Sequence, residues 1–494
     1  MAHSIRRPAR HPLARLVLLA VVALTILFGW QTPDATSRPA AAAQQAAAAK
    51  RPNVLLVVTD DQREGTVTPA IMPNTYRELV QRGFRFTNSF VTNAWCCPSR
   101  ASILTGQYSH TNGVWTVGGQ YGIKAWLPHE NSTLATWLQD AGYRTGIIGK
   151  YFNGYGTGDV TPYKPQGWDT TAIITDLVYS RNSGYFNYDL FNGAGLDHYG
   201  ADADDYSTRV FTREAERFIA AKNHGNPWFL YLAYTSPHGP AINDPADTDA
   251  ARGITYPMSP NVCEVDVSDK PAFVRNQPAC TRTQAQFDSR MRTQQARMLA
   301  SVDRGLGRIL DDLKASGQME NTLIVFISDN GVQMGSHRLS GKEVPYEESV
   351  RVPMMMRWDA LGTAPRSIDD FALNIDLAPT ITEAVGVTEH DPYDGESLLP
   401  VLRGSATAGR DDFLLEHLSK GKSDPGGPSY CAVRNRNFKY VEYSTGEREL
   451  YDLAADPAEL TSLHNDPTQQ AVVSRLRDRM LELCEPSPPG WNPQ

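Results

Sequence analysis

Residues 54–61 read Val-Leu-Leu-Val-Val-Thr-Asp-Asp. The apolar run is short and hydrophobic on both faces, so it describes a strand buried between two layers rather than one with a wet side. Two aspartates close it. Three further runs have the same form, at residues 146–148, 228–233 and 323–327. Helix-like patterns lie between them, at 74–82, 132–141 and 294–316, the last ending in Ala-Ser-Gly, a helix stop. Strands alternating with helices predict an α/β fold: a large mixed, mostly parallel sheet sandwiched by helices.

The pattern changes after about residue 386. Short strand candidates at 412–415, 430–433, 439–443 and 449–451 precede one helix at 468–483. We expect an α/β domain over 50–385 and a smaller C-terminal α+β subdomain over 386–494. Residues 159–205 and 241–283 show little periodicity and read as surface excursions of the kind that shape substrate pockets.

The chain of 494 residues has a net charge of -8 and no basic stripe, which argues against nucleic acid as a partner. Residues 1–49 differ from the rest. Arg6, Arg7, Arg10 and Arg15 precede an apolar run at 16–30 and an Ala-rich stretch at 40–49. That is the form of a secretory signal, with an uncleaved N-terminal anchor as the alternative. The run falls short of the ~20 residues a membrane span needs, and the rest of the chain holds no other candidate span. We expect a secreted or extracytoplasmic protein with no stable membrane span once the signal is cleaved. Export permits disulfides. Of six cysteines, Cys263 with Cys280 and Cys431 with Cys484 would close loops, leaving the adjacent Cys96 and Cys97.

Each buried strand runs into polar residues. Asp60 and Asp61 end the first; Gly149-Lys150, Ser236-Pro237-His238 and Asp329-Asn330-Gly331 end the others. Singly, an Asp after a strand is most often a turn or cap residue. In an open α/β sheet, however, ligands bind at the carboxyl ends of the strands, where all four tips would converge. Asp60, Asp61, Asp329 and Asn330 offer hard oxygen ligands, which suit Ca²⁺, with Mg²⁺ as the alternative. Three carboxylates so close would repel one another without a cation.

Residues 93–106 read Asn-Ala-Trp-Cys-Cys-Pro-Ser-Arg-Ala-Ser-Ile-Leu-Thr-Gly. This resembles the sulfatase signature Cys-x-Pro-Ser-Arg followed by Thr-Gly, and the Asp-Asp, Pro-His and Asp-Asn-Gly elements accompany it in that family's order. The likeness runs from Arg51 to about Pro467. It implies that Cys96 is oxidised to Cα-formylglycine by a formylglycine-generating enzyme, with Cys97 in the variable position. The hydrated aldehyde would attack sulfur, with Asp329 as base, and the resulting hemiacetal would collapse to release sulfate. By the same resemblance Asp60, Asp61, Cys96, Asp329 and Asn330 hold the metal, and Arg100 bridges the formylglycine and the carboxylates. Lys150, Asn153, His238 and Lys342 bind the substrate, with Lys342 or His238 protonating the leaving oxygen.

Many sulfatases carry a His two residues after the strand-end Lys; here that position is Phe152. The forms Gly149-Lys150-Tyr151-Phe152-Asn153 and Cys96-Cys97-Pro98-Ser99-Arg100 look like the branch of N-acetylglucosamine-6-sulfatases and extracellular heparan 6-O-endosulfatases. The substrate implied is a sulfated carbohydrate, 6-O-sulfated N-acetylglucosamine or a related glycan, with aryl sulfates as further sulfate esters. His337 is close to Lys342 in sequence and is a further candidate for the cleft. Two rival readings remain: a phosphonate or phosphate ester hydrolase of the same superfamily, and a catalytically silent secreted glycan-binding protein.

Overall fold

The computed structural model describes residues 51–158, 160–175, 184–221, 225–254, 258–405, 409–421 and 427–493. The expected leader at 1–49 lies outside the described residues. The strands, in chain order, are β1 (Asn53–Thr59), β2 (Phe84–Phe90), β3 (Arg144–Gly149), β4 (Thr170–Ile174), β5 (Tyr188–Phe191), β6 (Leu196–Tyr199), β7 (Trp228–Ala233), β8 (Thr322–Ser328), β9 (Gln333–Met334), β10 (Ser340–Gly341), β11 (Met354–Arg357), β12 (Arg366–Leu373), β13 (Asp412–His417), β14 (Tyr430–Asn435), β15 (Phe438–Tyr443) and β16 (Arg448–Asp452). A ten-stranded sheet has the order β12-β2-β11-β8-β1-β7-β3-β4-β5-β6. Its centre, β8-β1-β7-β3-β4, is parallel; β11 and β5 run against it.

The strand period of two explains the three layers. Along β1, Val54, Leu56 and Val58 pack with Ala101, Leu134, Leu138 and Ile381 on one face. Leu55 and Val57 meet Val210, Phe211, Leu299 and Val302 on the other. Helices Cys96–Thr105, Leu134–Asp140 and Leu377–Val385 therefore cover one face, and Ser207–Ala220 and Arg282–Ala315 the opposite one. Every residue of β1, β7 and β8 is buried, as their unbroken apolar sequences require.

Two segments differ from expectation. Within 159–205, β4, β5 and β6 extend the sheet at its edge; β5 and β6 are only four residues each, and β6 is mostly exposed, so neither leaves a periodic trace. The helix expected at 294–316 begins at Arg282, where Thr281 Oγ1 caps it by accepting from the Gln284 N–H at 3.1 Å. Its first turns are largely exposed and lack an apolar stripe.

The C-terminal part is an antiparallel sheet β13-β14-β15-β16 with helix Gln470–Leu483 against it. Phe413, Val433, Leu476 and Met480 join the core on the Cys96 side of the large sheet. Cys263 is bonded to Cys280 and Cys431 to Cys484, while Cys96 and Cys97 are free thiols. The second bond closes 53 residues, a loop whose closure stabilises by about 4 kcal/mol in the chain-entropy account. No helix among the described residues is long and apolar enough to cross a membrane.

His110 Nδ1 lies 2.8 Å from Glu416 Oε2 on β13, tying the segment after the Cys96 helix to the C-terminal sheet. Burial disfavours the imidazolium, but the Glu416 carboxylate outweighs it and raises the His110 pKa above its ordinary 6.5. A raised folded-state pKa stabilises fully below the unfolded value and is lost as pH rises through the folded one. The stability difference between the protein and His110→Gln, measured by urea unfolding, should be largest below pH 6.5 and shrink at alkaline pH. A difference independent of pH would show that the pair carries no charge.

Candidate active site

The carboxyl ends of four strands are pinned together by backbone bonds that continue past the strands. Asp60 N–H donates to Ser236 O at 3.2 Å, Asp329 N–H to Thr59 O at 2.9 Å and Lys150 N–H to Ala233 O at 2.8 Å. Asp61 adopts a left-handed backbone at φ 63°, which an aspartate tolerates better than most residues. Its N–H reaches Asp329 Oδ1 at 3.3 Å, and Asn330 Nδ2 donates to Asp61 Oδ1 at 2.6 Å. The acidic residues thus meet at the sheet edge, as the strand tips led us to expect.

Helix Cys96–Thr105 brings the other half. All ten residues are buried, so it has no hydrophobic stripe to betray it. Pro98 is tolerated because first-turn N–H groups have no partner within a helix. Gly106 ends the helix at φ +72°, where a Cβ would stand 2.8 Å from Tyr393, which accounts for the glycine closing the motif. Cys96 is the first helical residue, at the end where the helix dipole favours negative charge. Arg100, four residues on, projects from the same face. Its Nε and Nη2 reach Asp329 Oδ2 at 2.9 and 2.8 Å, its Nη1 donates to Lys150 O at 2.9 Å, and Asp60 Oδ2 is 3.8 Å away.

Two lysines complete the cluster. Lys150 is ion-paired with Asp60, and Lys342 with Asp61. Lys342 Nζ also lies 2.9 Å from Cys96 Sγ, which is 3.6 Å from Asp60 Oδ1. His238 Nε2 stands 3.7 Å from Asp61 Oδ2 at the rim, with a third of its side chain exposed. Potential ligand atoms of Asp60, Asp61, Cys96 and His238 lie within 4.8 Å of one another.

Burial opposes charge on Asp60, yet Lys150, His238, Lys342 and Arg100 together hold it well below the usual carboxylate range. Asp329 goes the other way, raised by burial and by the charge of Asp60 in spite of Arg100. Burial and Asp60 also push the Cys96 thiol far up, against the pull of Lys150 and Lys342. An unmodified Cys96 would therefore be a protonated, weak nucleophile. Both lysines are held in their charged form: burial works against each, but Asp60 prevails at Lys150 and Asp61 at Lys342. The donor set fits a hard cation. It comprises three carboxylates and the buried Asn330 Oδ1, which has no hydrogen-bond partner, and a cation would relieve the crowding felt by Asp329.

Asn153 is held on the neighbouring Cys97, its N–H donating to Cys97 Sγ at 3.2 Å. Phe152 is buried and stacks on Trp126 with ring centroids 4.5 Å apart, so no imidazole reaches the site from that loop. His337 does not reach the cleft. It is fully buried, bonded to Glu264 at 2.7 Å and stacked on Tyr346. Sequence reasoning missed Gln295, whose Nε2 donates to Asp61 O and Pro237 O at 3.3 and 3.4 Å and so joins two tips. The signal available was a glutamine on the core-facing side of a helix, beside Met298, Leu299 and Val302.

The sequence model described as Sulfatase matches residues 52–387, and one described as N-sulphoglucosamine sulphohydrolase, C-terminal, matches 335–486. The chain belongs to the sulfatase family. That makes it a sulfuric ester hydrolase of the alkaline phosphatase superfamily. It is 32% identical to the N-acetylglucosamine-6-sulfatase of Homo sapiens over 477 residues, covering 87% of this chain and 84% of that protein. The extracellular sulfatase SULF-1 homolog of Drosophila melanogaster is 31% identical over 407 residues, 79% of this chain; the sulfatase spans only 36% of that longer relative. A solved structure described as in complex with its substrate D-glucosamine-2-N,6-O-disulfate shares the fold, with a TM-score of 0.75 and 22% identity over 88% of this chain and 98% of that one.

Arg100 is the test of the cluster's internal charge balance. Arg100→Ala leaves Asp329 buried without its main cation and should cost about 3–5 kcal/mol in urea unfolding, along with the activity. Arg100→Lys, which keeps the charge but not the forked geometry, should recover most of the stability and little of the activity. Equal recovery of both would reduce Arg100 to a mere counter-ion.

Proposed function

We propose that this sulfatase removes the 6-O-sulfate of an N-acetylglucosamine-type sugar, using residue 96 as a formylglycine beside a Ca²⁺ ion, with Mg²⁺ as the alternative. The observation that carries the mechanism is the placement of Cys96: at a helix N-terminus, against Asp60, with Lys342 Nζ at 2.9 Å. The sugar assignment is supported by the Cys-Cys-Pro-Ser-Arg and Gly-Lys-Tyr-x-Asn forms and by the human N-acetylglucosamine-6-sulfatase at 32% identity. Asp60, Asp61, Asp329 and Asn330 would hold the cation together with residue 96. The formylglycine supplies a geminal-diol nucleophile with an exit for the sulfated adduct, and the cation supplies charge stabilisation for sulfate oxygens.

The chain's own residues do the rest. Arg100 fixes Asp329 against the carbonyl of Lys150, holding the base in one orientation. Lys150 and Lys342 keep their protons, so they neutralise sulfate oxygens rather than pass protons on. His238, partly exposed at the rim, is then the group placed to protonate the leaving sugar oxygen. Asn153, held on Cys97, hydrogen-bonds the substrate at the edge of the sulfate site. Two disulfides and the basic-apolar leader support an extracytoplasmic location, after maturation by a formylglycine-generating enzyme.

The tryptic peptide containing Cys96, from protein secreted by its native host, should carry an aldehyde that a hydrazide labels. Such protein should hydrolyse an aryl sulfate far faster than an aryl phosphate, lose activity to a chelator and regain it with Ca²⁺ or Mg²⁺. Cys96→Ala should lower kcat by about 10⁴-fold or more. Full turnover by protein whose residue 96 is wholly cysteine would overturn the reading.

A further inference from the structure

Lys342 reaches the sulfate site from a stretch of backbone that cannot hold its own shape. Gly341 before it and Glu343 after it both lie in the left-handed region, at φ 104° and 72°. Glycine adopts that conformation freely, but a glutamate keeps it only where its surroundings impose it. The ribbon upstream gives little support, since β9 and β10 pair over two residues each. Two local bonds help: Glu343 N–H donates to Ala94 O at 3.2 Å, just ahead of Cys96, and Lys342 N–H donates to Glu343 Oε2 at 3.2 Å.

The stronger hold comes from the C-terminal sheet. Lys439, on β15, is fully buried; its Nζ donates to Pro345 O at 2.8 Å and is ion-paired with Glu347 Oε1 at 2.9 Å and Glu459 Oε1 at 2.7 Å. Burial works against that charge, but Glu347 and Glu459 outweigh it and keep the ammonium protonated. Pro345 follows Lys342 by three residues, and Glu347 opens the short helix Glu347–Val350. Glu347 N–H donates to Glu459 Oε2 at 2.8 Å, so the carboxylate that holds Lys439 also holds the helix start. Between these points the Tyr346 hydroxyl donates to Glu449 Oε1 on β16 at 2.9 Å, and Val344 and Tyr346 pack with Tyr451 and Leu453. The segment is thus clamped at one end by the C-terminal sheet, while at the other the Lys342 ammonium meets Asp61 and Cys96.

We infer that Lys439 is a positioning residue for the sulfate site: without touching substrate, it fixes the backbone from which Lys342 reaches the sulfate oxygens. The inference rests on the proposed role of Lys342 as a sulfate-binding ammonium, and it gives the C-terminal subdomain a part in that role. Inorganic sulfate titrated calorimetrically into the matured, metal-loaded protein reads binding without turnover. Lys342→Ala should weaken it at least about tenfold. Lys439→Met alone strands two buried carboxylates and endangers the fold. The test is therefore Lys439→Met combined with Glu459→Gln, which removes one charge of each sign and leaves Glu347 its contact with Arg434 at 3.5 Å. That paired variant should weaken sulfate binding about threefold or more, and should cost nothing further where Lys342 is already alanine, the coupling expected when one residue acts through another. Unchanged sulfate affinity in the paired variant, or a loss of equal size in both backgrounds, would reduce Lys439 to a structural ion pair and overturn the inference with the sulfate reading intact. Unchanged affinity in Lys342→Ala would overturn both.

Discussion

Everything at the carboxyl edge of the large sheet answers one constraint: Asp60, Asp61 and Asp329 are buried together. Carboxylates packed this way cannot all ionise unless positive charge is brought in from elsewhere. Three separate parts of the chain deliver it. Arg100 comes from the second turn of the Cys96 helix, Lys150 from the residue after β3, and Lys342 from the residue after β10, which closes the small ribbon. The buried helix, the parallel strand tips and the ribbon are thus held in register by charge as well as by packing. Loss of one partner would leave the others facing an unpaired buried charge.

The sequence carried the centre of this arrangement and little of its edges. The four central strands were legible because burial on both faces leaves unbroken apolar runs, as in residues 228–233. The strand-end positions of Asp60, Lys150, His238 and Asp329 followed from those runs alone. By contrast β12, Arg366–Leu373, carries two adjacent aspartates, as an outer strand with a wet face can, and its charges mask the strand. The Cys96 helix was found only as a motif: buried on every side and rich in Ser and Cys, it has neither period nor propensity to mark it. The convergence of Lys342 on Asp61 was not readable from spacing, because the ribbon that returns it has strands of two residues.

Phe152 shows how packing fixes the loop that carries Lys150. Trp126 Nε1 and Glu130 bond the Tyr151 hydroxyl, and Phe152 stacks on the same indole. The loop after β3 is therefore anchored by aromatic packing and by the Asn153 N–H on Cys97. It delivers the Lys150 ammonium to the site and no imidazole. His238 and Asp329 stand on neighbouring strand tips, each beside an aspartate or arginine of the cluster.

Charge counting explains why such a cluster suits a sulfate ester. Asp60, Asp61 and Asp329 balance Arg100, Lys150 and Lys342, so the protein alone is neutral there. A divalent cation held by the carboxylates would give an excess of two positive charges. A sulfate monoester already carries one negative charge, and further negative charge develops on the leaving oxygen as the ester bond breaks. The interaction with the excess positive charge strengthens in the same direction. It is weaker for the bound ester than for the transition state, the condition for catalysis rather than tight substrate binding. Burial amplifies the difference, because the field acts through protein and not through water.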